Sequence, residues 1–204
     1  MPVTFTITAI FSIGFFHAFE ADHLAAVSTL VTKRDNILAA VRDGIYWGLG
    51  HTSTIFLIGM MMIILKFSFL DNFFTTFEGI IGLLLVAIGI KRLYELFYSE
   101  KKHEKSEPHT HKVAYGVGLL HGLAGSGSVV LLIISNVPDS WNGMLYLLIF
   151  GMGSILGMLI AAGLFSLPFS KKITKNIYIN MTLVIISSLV CMSIGGWLFY
   201  ENLM

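Results

Sequence analysis

The segment around which the chain is organised reads His17-Ala18-Phe19-Glu20-Ala21-Asp22-His23. It places two imidazoles and two carboxylates between two apolar runs, residues 10–16 and 24–31. Ionisable groups within an apolar segment long enough to cross a membrane are costly and usually functional. Imidazole and carboxylate together form a ligand set that suits divalent first-row metals. The segment therefore predicts a metal site inside a membrane.

The composition predicts a polytopic α-helical membrane protein. Of the 204 residues, 55% are hydrophobic and 12% are charged, and the mean hydropathy is +0.80. A soluble domain carries about twice that fraction of charged residues, and long apolar runs account for the excess here. The single cysteine, Cys191, excludes an internal disulfide and any site built from several thiolates. No Lys or Arg precedes the first apolar stretch, so we expect a retained span and no signal peptide.

Six spans of about 20 or more residues are predicted. They cover residues 3–31, 44–65, 73–97, 113–135, 141–167 and 177–200. We expect one transmembrane domain over residues 1–204, in which a polar loop, 98–112, joins a first half, 1–97, to a second half, 113–204. His103, His109 and His111 give that loop a weak metal-binding tract at most.

The distribution of basic residues predicts the orientation in the cell membrane. Of the 13 Lys and Arg residues, all but Lys66 lie in or beside the connections that follow spans 1, 3 and 5. Because basic residues accumulate on the cytoplasmic side, those connections should be cytoplasmic, including loop 98–112. Both termini should then face the outside.

The two halves of the chain resemble each other in two glycine-containing motifs. The matching pairs are Gly14-Phe15-Phe16-His17-Ala18 with Gly118-Leu119-Leu120-His121-Gly122, and Gly48-Leu49-Gly50 with Gly151-Met152-Gly153. Three spans per half is an odd number, so two such repeats must point in opposite directions. Inverted repeats with a site near the bilayer midplane are a recurring transporter design.

Helical geometry predicts that the first span is distorted at its motif. At about 100° per residue, His17, Glu20 and His23 share a stripe about 120° wide, whereas Asp22 lies about 140° from His17. Either the helix is distorted within residues 16–25, or Glu20 supplies the carboxylate beside the histidines. We expect the distortion, because Asp22 would otherwise face lipid or a packed interface without a partner.

Histidines in two further spans fall into the same layer of the membrane. Their motifs are Gly48-Leu49-Gly50-His51-Thr52-Ser53-Thr54 and His121-Gly122-Leu123-Ala124-Gly125-Ser126-Gly127-Ser128. At a rise of 1.5 Å per residue, both histidines lie about 5 Å to the cytoplasmic side of the midplane, between the depths of His17 and His23. A lone intramembrane histidine is more often a hydrogen-bonded packing residue, but the shared depth indicates one site. We expect four metal ligands, His17, Asp22, His23 and His51, and four residues that bind the metal or orient its ligands, Glu20, His121, Thr52 and Ser126.

These motifs resemble those of the nickel/cobalt permease family (NiCoT) and its wider superfamily, which includes urease-associated nickel permeases and nickel/cobalt efflux proteins. The features that match are His-x4-Asp-His, as His17, Asp22 and His23, and Leu-Gly-His-[Ser/Thr], as residues 49–52. The glycine-rich run that begins at His121 is similar to that of a shorter, six-span branch. The resemblance implies selective transport of Ni²⁺ or Co²⁺, with the first-motif residues essential. Members of the main branch carry the signature in the second of eight spans, whereas here it is in the first.

Together, the motifs and the resemblance predict a secondary permease for Ni²⁺ or Co²⁺ that acts in uptake. The metal is its substrate, and we expect no cofactor. We expect it to be no enzyme. The sequence contains no Walker motif, so we expect that the chain itself does not hydrolyse ATP. Its expected partners are the metal ion, the lipid bilayer and further copies of itself, and not nucleic acid. Uptake is favoured because the long histidine-rich loop typical of efflux relatives is only residual here.

Three alternatives stay open. An exporter of metal or of a small anion would belong to the same superfamily, although an anion carrier should offer buried Lys or Arg and the predicted spans offer none away from their ends. A membrane redox enzyme would use the histidines for haem or a metal centre. An accessory subunit would have no transport of its own.

Overall fold

The structure is a computed structural model that describes residues 3–32, 34, 36–65, 71–98, 111–124, 130, 139–169 and 176–204. Within these ranges the chain forms seven α-helices. They are α1 (Val3–His17), α2 (Ala21–Val31), α3 (Ile37–Leu65), α4 (Asp71–Tyr98), α5 (Lys112–Ala124), α6 (Ser140–Ser166) and α7 (Ile177–Leu203). A 3-10 turn, Leu167–Phe169, follows α6. The predicted all-helical class is confirmed.

Three helices in the described ranges are long and apolar enough to cross a membrane, namely Ile37–Ile64, Ser140–Phe169 and Ile177–Leu203. Two shorter apolar helical segments, Ile7–His17 and Ala21–Val31, lie where the first span was predicted. These helices identify a membrane protein. The count of six spans stays a prediction.

Helix α3 begins seven residues earlier than the sequence predicts, at Ile37 and not at residue 44. The predicted span, 44–65, leaves Arg42 and Asp43 in the connection before it. In the structure the carboxylate of Asp43 is buried, and it accepts hydrogen bonds from Nε and Nη2 of Arg34. Nδ1 of His111 lies 3.0 Å from the same carboxylate. This partnered carboxylate allows the helix to extend.

We call these three residues, Arg34, Asp43 and His111, the Asp43 network. It links the α2–α3 connection and the start of α5 to helix α3. His111 belongs to the predicted weak metal tract, and the structure engages its ring with Asp43. The other two members of that tract, His103 and His109, lie outside the described residues.

The helices pack in pairs that bring α1, α3 and α5 towards a common centre. Helix α3 contacts both α5 and α6, α1 packs on α6, and α4 packs on α7. Trp47, Leu147 and Phe150 are among the largest fully buried side chains. The site described below therefore lies where α1, α2, α3 and α5 meet.

Two glycines permit the closest helix contacts near that centre. A Cβ atom at Gly118 would overlap the carbonyl oxygen of Trp47, and a Cβ atom at Gly14 would overlap the carbonyl oxygen of Phe150. Small residues let helix backbones approach closely in membranes. Both glycines come from the motifs that match between the halves, and the inverted repeat itself stays a prediction.

Candidate metal centre

The first span is broken inside its motif. Helix α1 ends at His17 and α2 begins at Ala21. Between them, the N–H of Phe19 donates to the carbonyl of Phe16 at 2.9 Å, and Glu20 adopts an extended backbone with φ −65° and ψ 156°. Residues 17–22 include no proline or glycine, so no helix-breaking residue marks the position. The predicted distortion of this span is confirmed.

The break brings together two histidines that a regular helix would separate. Residues six apart lie about 9 Å from each other along the axis of a regular helix. Here the ring centroids of His17 and His23 are 4.7 Å apart. The break at residues 18–20 thus brings the two rings, six residues apart in the sequence, into contact.

His51 on α3 joins them. Its ring centroid lies 5.4 Å from that of His17 and 5.1 Å from that of His23. All three side chains are buried, and each can offer one nitrogen such that the three atoms lie within 4.8 Å of one another. We call these residues, His17, His23 and His51, the imidazole set.

Several nitrogens of the imidazole set have no hydrogen-bond partner among the described residues. They are Nε2 of His17, Nε2 of His23, and both ring nitrogens of His51. A buried polar atom without a partner costs about 1–3 kcal/mol, so each such atom calls for an explanation. Nitrogens that converge without partners are suited to hold a cation.

Two carboxylates contact the imidazole set. Oδ1 of Asp22 lies 3.0 Å from Nδ1 of His23 in a hydrogen bond, and Oε1 of Glu20 lies 2.9 Å from Nδ1 of His17. The second contact is an ion-pair distance without the angle of a hydrogen bond. A carboxylate on one ring nitrogen is the usual device that orients a metal-binding histidine.

The carboxylates also form a set of their own with a histidine. Oxygens of Glu20 and Asp22 and a nitrogen of His23 lie within 4.8 Å of one another. We call these three residues the carboxylate set. The four predicted ligands therefore do not converge on one point, because Asp22 groups with Glu20 and not with His17 and His51. The two sets overlap at His23.

His121 lies beside the imidazole set but outside it. The centroid of its buried ring is 5.1 Å from the ring centroid of His23 and 5.8 Å from that of Trp47. Trp47 and Phe150 form aromatic walls, at 5.6 Å from His23 and 5.4 Å from His17 respectively. Sequence reasoning missed both aromatic residues. The sequence did hold a signal for them: Trp47 directly precedes Gly48 and Phe150 directly precedes Gly151, and these glycines begin the two motifs that match between the halves.

Two further residues were predicted to bind the metal or to orient its ligands, Thr52 and Ser126. Thr52 donates its hydroxyl to the carbonyl of Gly151 at 3.1 Å, which uses the hydroxyl in the α3–α6 contact. Ser126 lies outside the described residues.

The donor types indicate which ions the centre could hold. Imidazole suits Ni, Zn, Cu and Fe, whereas Ca²⁺ and Mg²⁺ prefer oxygen donors alone. Helix α1 ends at His17, and the C-terminus of a helix carries a partial negative charge that favours cations. The arrangement can therefore bind a divalent first-row metal between imidazoles and carboxylates.

Comparison with known proteins agrees with this chemistry. Residues 3–115 match the family described as NicO, high-affinity nickel-transport protein. The urease accessory protein UreH of Bacillus sp. (strain TB-90) is 36% identical over 188 residues, which cover 84% of this chain and 82% of that protein. A protein of Methanocaldococcus jannaschii named as a nickel/cobalt efflux system is 30% identical over 179 residues, 79% of this chain and 77% of that protein. The chloroplast protein FOR GROWTH AND FERTILITY 1 of Arabidopsis thaliana is 25% identical over 196 residues, 85% of this chain and 53% of that protein. No solved structure matches the chain.

Proposed function

Because the chain belongs to the NicO high-affinity nickel-transport family, we propose that it is a secondary permease for Ni²⁺ or Co²⁺ that works in uptake across the cell membrane. The family consists of transporters and not of enzymes. The metal is then the cargo, and no resident cofactor is needed. Lipid and further copies of the same chain are the other proposed partners.

One observation carries the proposal. The buried imidazole set places ring nitrogens without hydrogen-bond partners, within the described part of the chain, beside a break in an apolar helix pair. Transporters bind substrate at interrupted helices near the midplane, where free backbone and side-chain groups can face the ion. We assign His17, His23 and His51 as metal ligands, Asp22 and Glu20 as carboxylates that bind the ion or orient the imidazoles, and His121 as a neighbour of the site.

The proposed architecture has six spans in two inverted halves, with both termini outside and loop 98–112 in the cytoplasm. The distribution of basic residues supports this orientation. Alternating access would expose the imidazole set to one side of the membrane at a time. Desolvation of the ion by neutral imidazoles would select a first-row metal over the more abundant hard cations.

Export of the same ions is the second candidate. It is favoured by the name of one relative, the nickel/cobalt efflux system of Methanocaldococcus jannaschii. Uptake and export would use the same site. Uptake would raise the nickel content of the cell, and export would lower it. Direction can therefore be measured without any change in the assigned residues.

The test is ⁶³Ni accumulation by intact cells that express the full chain, against cells with an empty vector. We expect higher accumulation with the chain and a loss of that increase in His17→Ala. The matched control is His103→Ala, which removes a histidine of the predicted loop. Accumulation below the empty-vector level would establish export, and equal accumulation at equal membrane expression would contradict transport of nickel.

A further inference from the structure

We propose that the carboxylate set, Glu20, Asp22 and His23, is a second, shallower metal site that receives the ion and hands it to the imidazole set through their shared histidine. The inference rests on the proposed function, since it describes how the cargo reaches the buried ligands. Its basis is geometric: two overlapping groups of ligand atoms, each within 4.8 Å, have one residue in common.

Exposure falls in steps across the carboxylate set. The side chain of Glu20 is 50% exposed, that of Asp22 is 15% exposed, and that of His23 is 0% exposed. A carboxylate against acyl chains is very costly, so an exposed Glu20 within an apolar stretch requires water beside it. In the proposal, water reaches the motif at Glu20, beside the break between α1 and α2. The three residues form a path from water to the buried centre.

The buried end of this path, His23, faces Asp22 with Nδ1 and keeps its other ring nitrogen available for the ion. Nε2 of His23 has no hydrogen-bond partner within the described ranges, although the side chain is fully buried. The carboxylates alone would be an ordinary acidic pair at the start of α2, where the helix N-terminus favours negative charge. The added imidazole turns the group into a mixed oxygen and nitrogen site, which suits a divalent cation that still keeps part of its water.

The shared histidine determines how the transfer proceeds. In the proposed transfer, His23 remains a ligand while oxygens of Glu20 and Asp22 leave and nitrogens of His17 and His51 replace them; its Nδ1 faces Asp22 and its Nε2 has no partner within the described ranges. No bond is formed or broken besides those between the ion and its ligands, and the charge of the protein is unchanged. Oε1 of Glu20 already lies 2.9 Å from Nδ1 of His17, so the two sets adjoin as well as overlap. Because His23 serves both, one chain holds one ion at saturation.

The first experiment measures Ni²⁺ binding by the purified full chain in detergent, by competition with a chromogenic chelator. His51→Ala removes only the imidazole set, so we expect residual binding at least about tenfold weaker than wild type, still with one ion per chain. Adding Glu20→Gln to His51→Ala should weaken this residual binding by at least a further factor of about ten. The matched control adds Glu201→Gln to His51→Ala, which makes the same chemical change at an exposed position on α7, outside both sets. Equal binding by the two double variants would overturn the proposal.

The second experiment uses Mn²⁺, because carboxylates suit Mn²⁺ better than imidazoles do. Mn²⁺ binding, followed by the loss of the free-ion signal in electron paramagnetic resonance, should weaken in Glu20→Gln and persist in His51→Ala. No Mn²⁺ binding by wild type, or equal binding by wild type and Glu20→Gln, would overturn the shallow site. Wild-type protein that neither binds Ni²⁺ nor moves ⁶³Ni would instead refute the proposed function.

Discussion

Two buried polar regions of this protein differ in whether their groups have partners. In the Asp43 network, a carboxylate that is 2% exposed accepts hydrogen bonds from Arg34 and contacts His111. In the imidazole set, buried ring nitrogens converge without partners inside the described part of the chain. Buried polar groups that are hydrogen-bonded to each other stabilise the fold, whereas buried ring nitrogens without hydrogen-bond partners can bind a ligand. The two regions should therefore respond in opposite ways to substitution.

Removal of the central carboxylate should give the largest effect on stability. Asp43→Ala leaves the guanidinium of Arg34 without its buried partner, and breaking a buried ion pair costs about 3–5 kcal/mol. We expect a clear fall in the thermal unfolding midpoint of the detergent-solubilised protein. Nickel affinity of the folded fraction should stay at the wild-type value. A matched loss of nickel affinity would mean that the Asp43 network and the metal centre are one unit.

Removal of the shared histidine should give the largest effect on binding. His23→Ala deletes a ligand from both overlapping sets, so we expect Ni²⁺ affinity to fall by at least about 100-fold, beyond the range typical of orienting residues. His111→Ala is the control, because it removes an imidazole from the satisfied region, and its affinity should equal that of wild type. Competition with a chelator measures both variants. Comparable losses of Ni²⁺ affinity in His23→Ala and His111→Ala would show that the imidazole set and the Asp43 network do not differ in metal binding.

The two carboxylates should differ in their effects. Asp22→Asn removes charge from the hydrogen-bonded partner of the shared histidine, and we expect affinity for Ni²⁺ to fall by about 10–100-fold. Glu20→Gln should weaken equilibrium binding less, because the imidazole set remains complete in that variant. Isothermal titration calorimetry with Ni²⁺ measures the affinity of each variant and shows which carboxylate matters more for binding. Near-normal binding by Asp22→Asn together with loss in Glu20→Gln would reverse the assignment.

Acid should weaken binding by a smaller and graded amount. Imidazole binds a metal only as the neutral base, so protons compete with Ni²⁺ and affinity falls as pH falls. We expect the affinity for Ni²⁺ measured in detergent to fall steadily as the pH is lowered from about 8 to about 5. His51→Ala should show a shallower dependence because one competing imidazole is gone. Affinity that is flat over this range would contradict imidazole ligation.

The sequence predicted the break in the first span although residues 17–22 contain no proline or glycine. The argument came from angular spacing, because a regular helix would leave Asp22 without a partner. The meeting of His51 with His17 and His23 followed from depth along each span. Both inferences use the repeat of the helix and need no knowledge of side-chain packing.

Other features depend on contacts between segments far apart in the sequence. The early start of α3 includes Asp43, whose pairing with Arg34 is a contact that the predicted bounds did not take into account. The use of Thr52 in the contact with Gly151 depends on how α3 meets α6. The division of the four predicted ligands into two overlapping sets depends on distances of a few ångströms, which spacing along a chain cannot resolve.

The most direct test of the metal centre is X-ray absorption at the nickel K-edge on Ni²⁺-loaded, purified protein. The account predicts the outer-shell scattering of imidazole rings, with a contribution that decreases in His51→Ala and is unchanged in His111→Ala. It also predicts no sulfur scatterer, since the single cysteine lies on α7 and contacts the carbonyl of Leu85. A spectrum of oxygen scatterers alone, equal to that of Ni²⁺ in buffer and unaffected by His51→Ala, would contradict the assignment of the imidazole set.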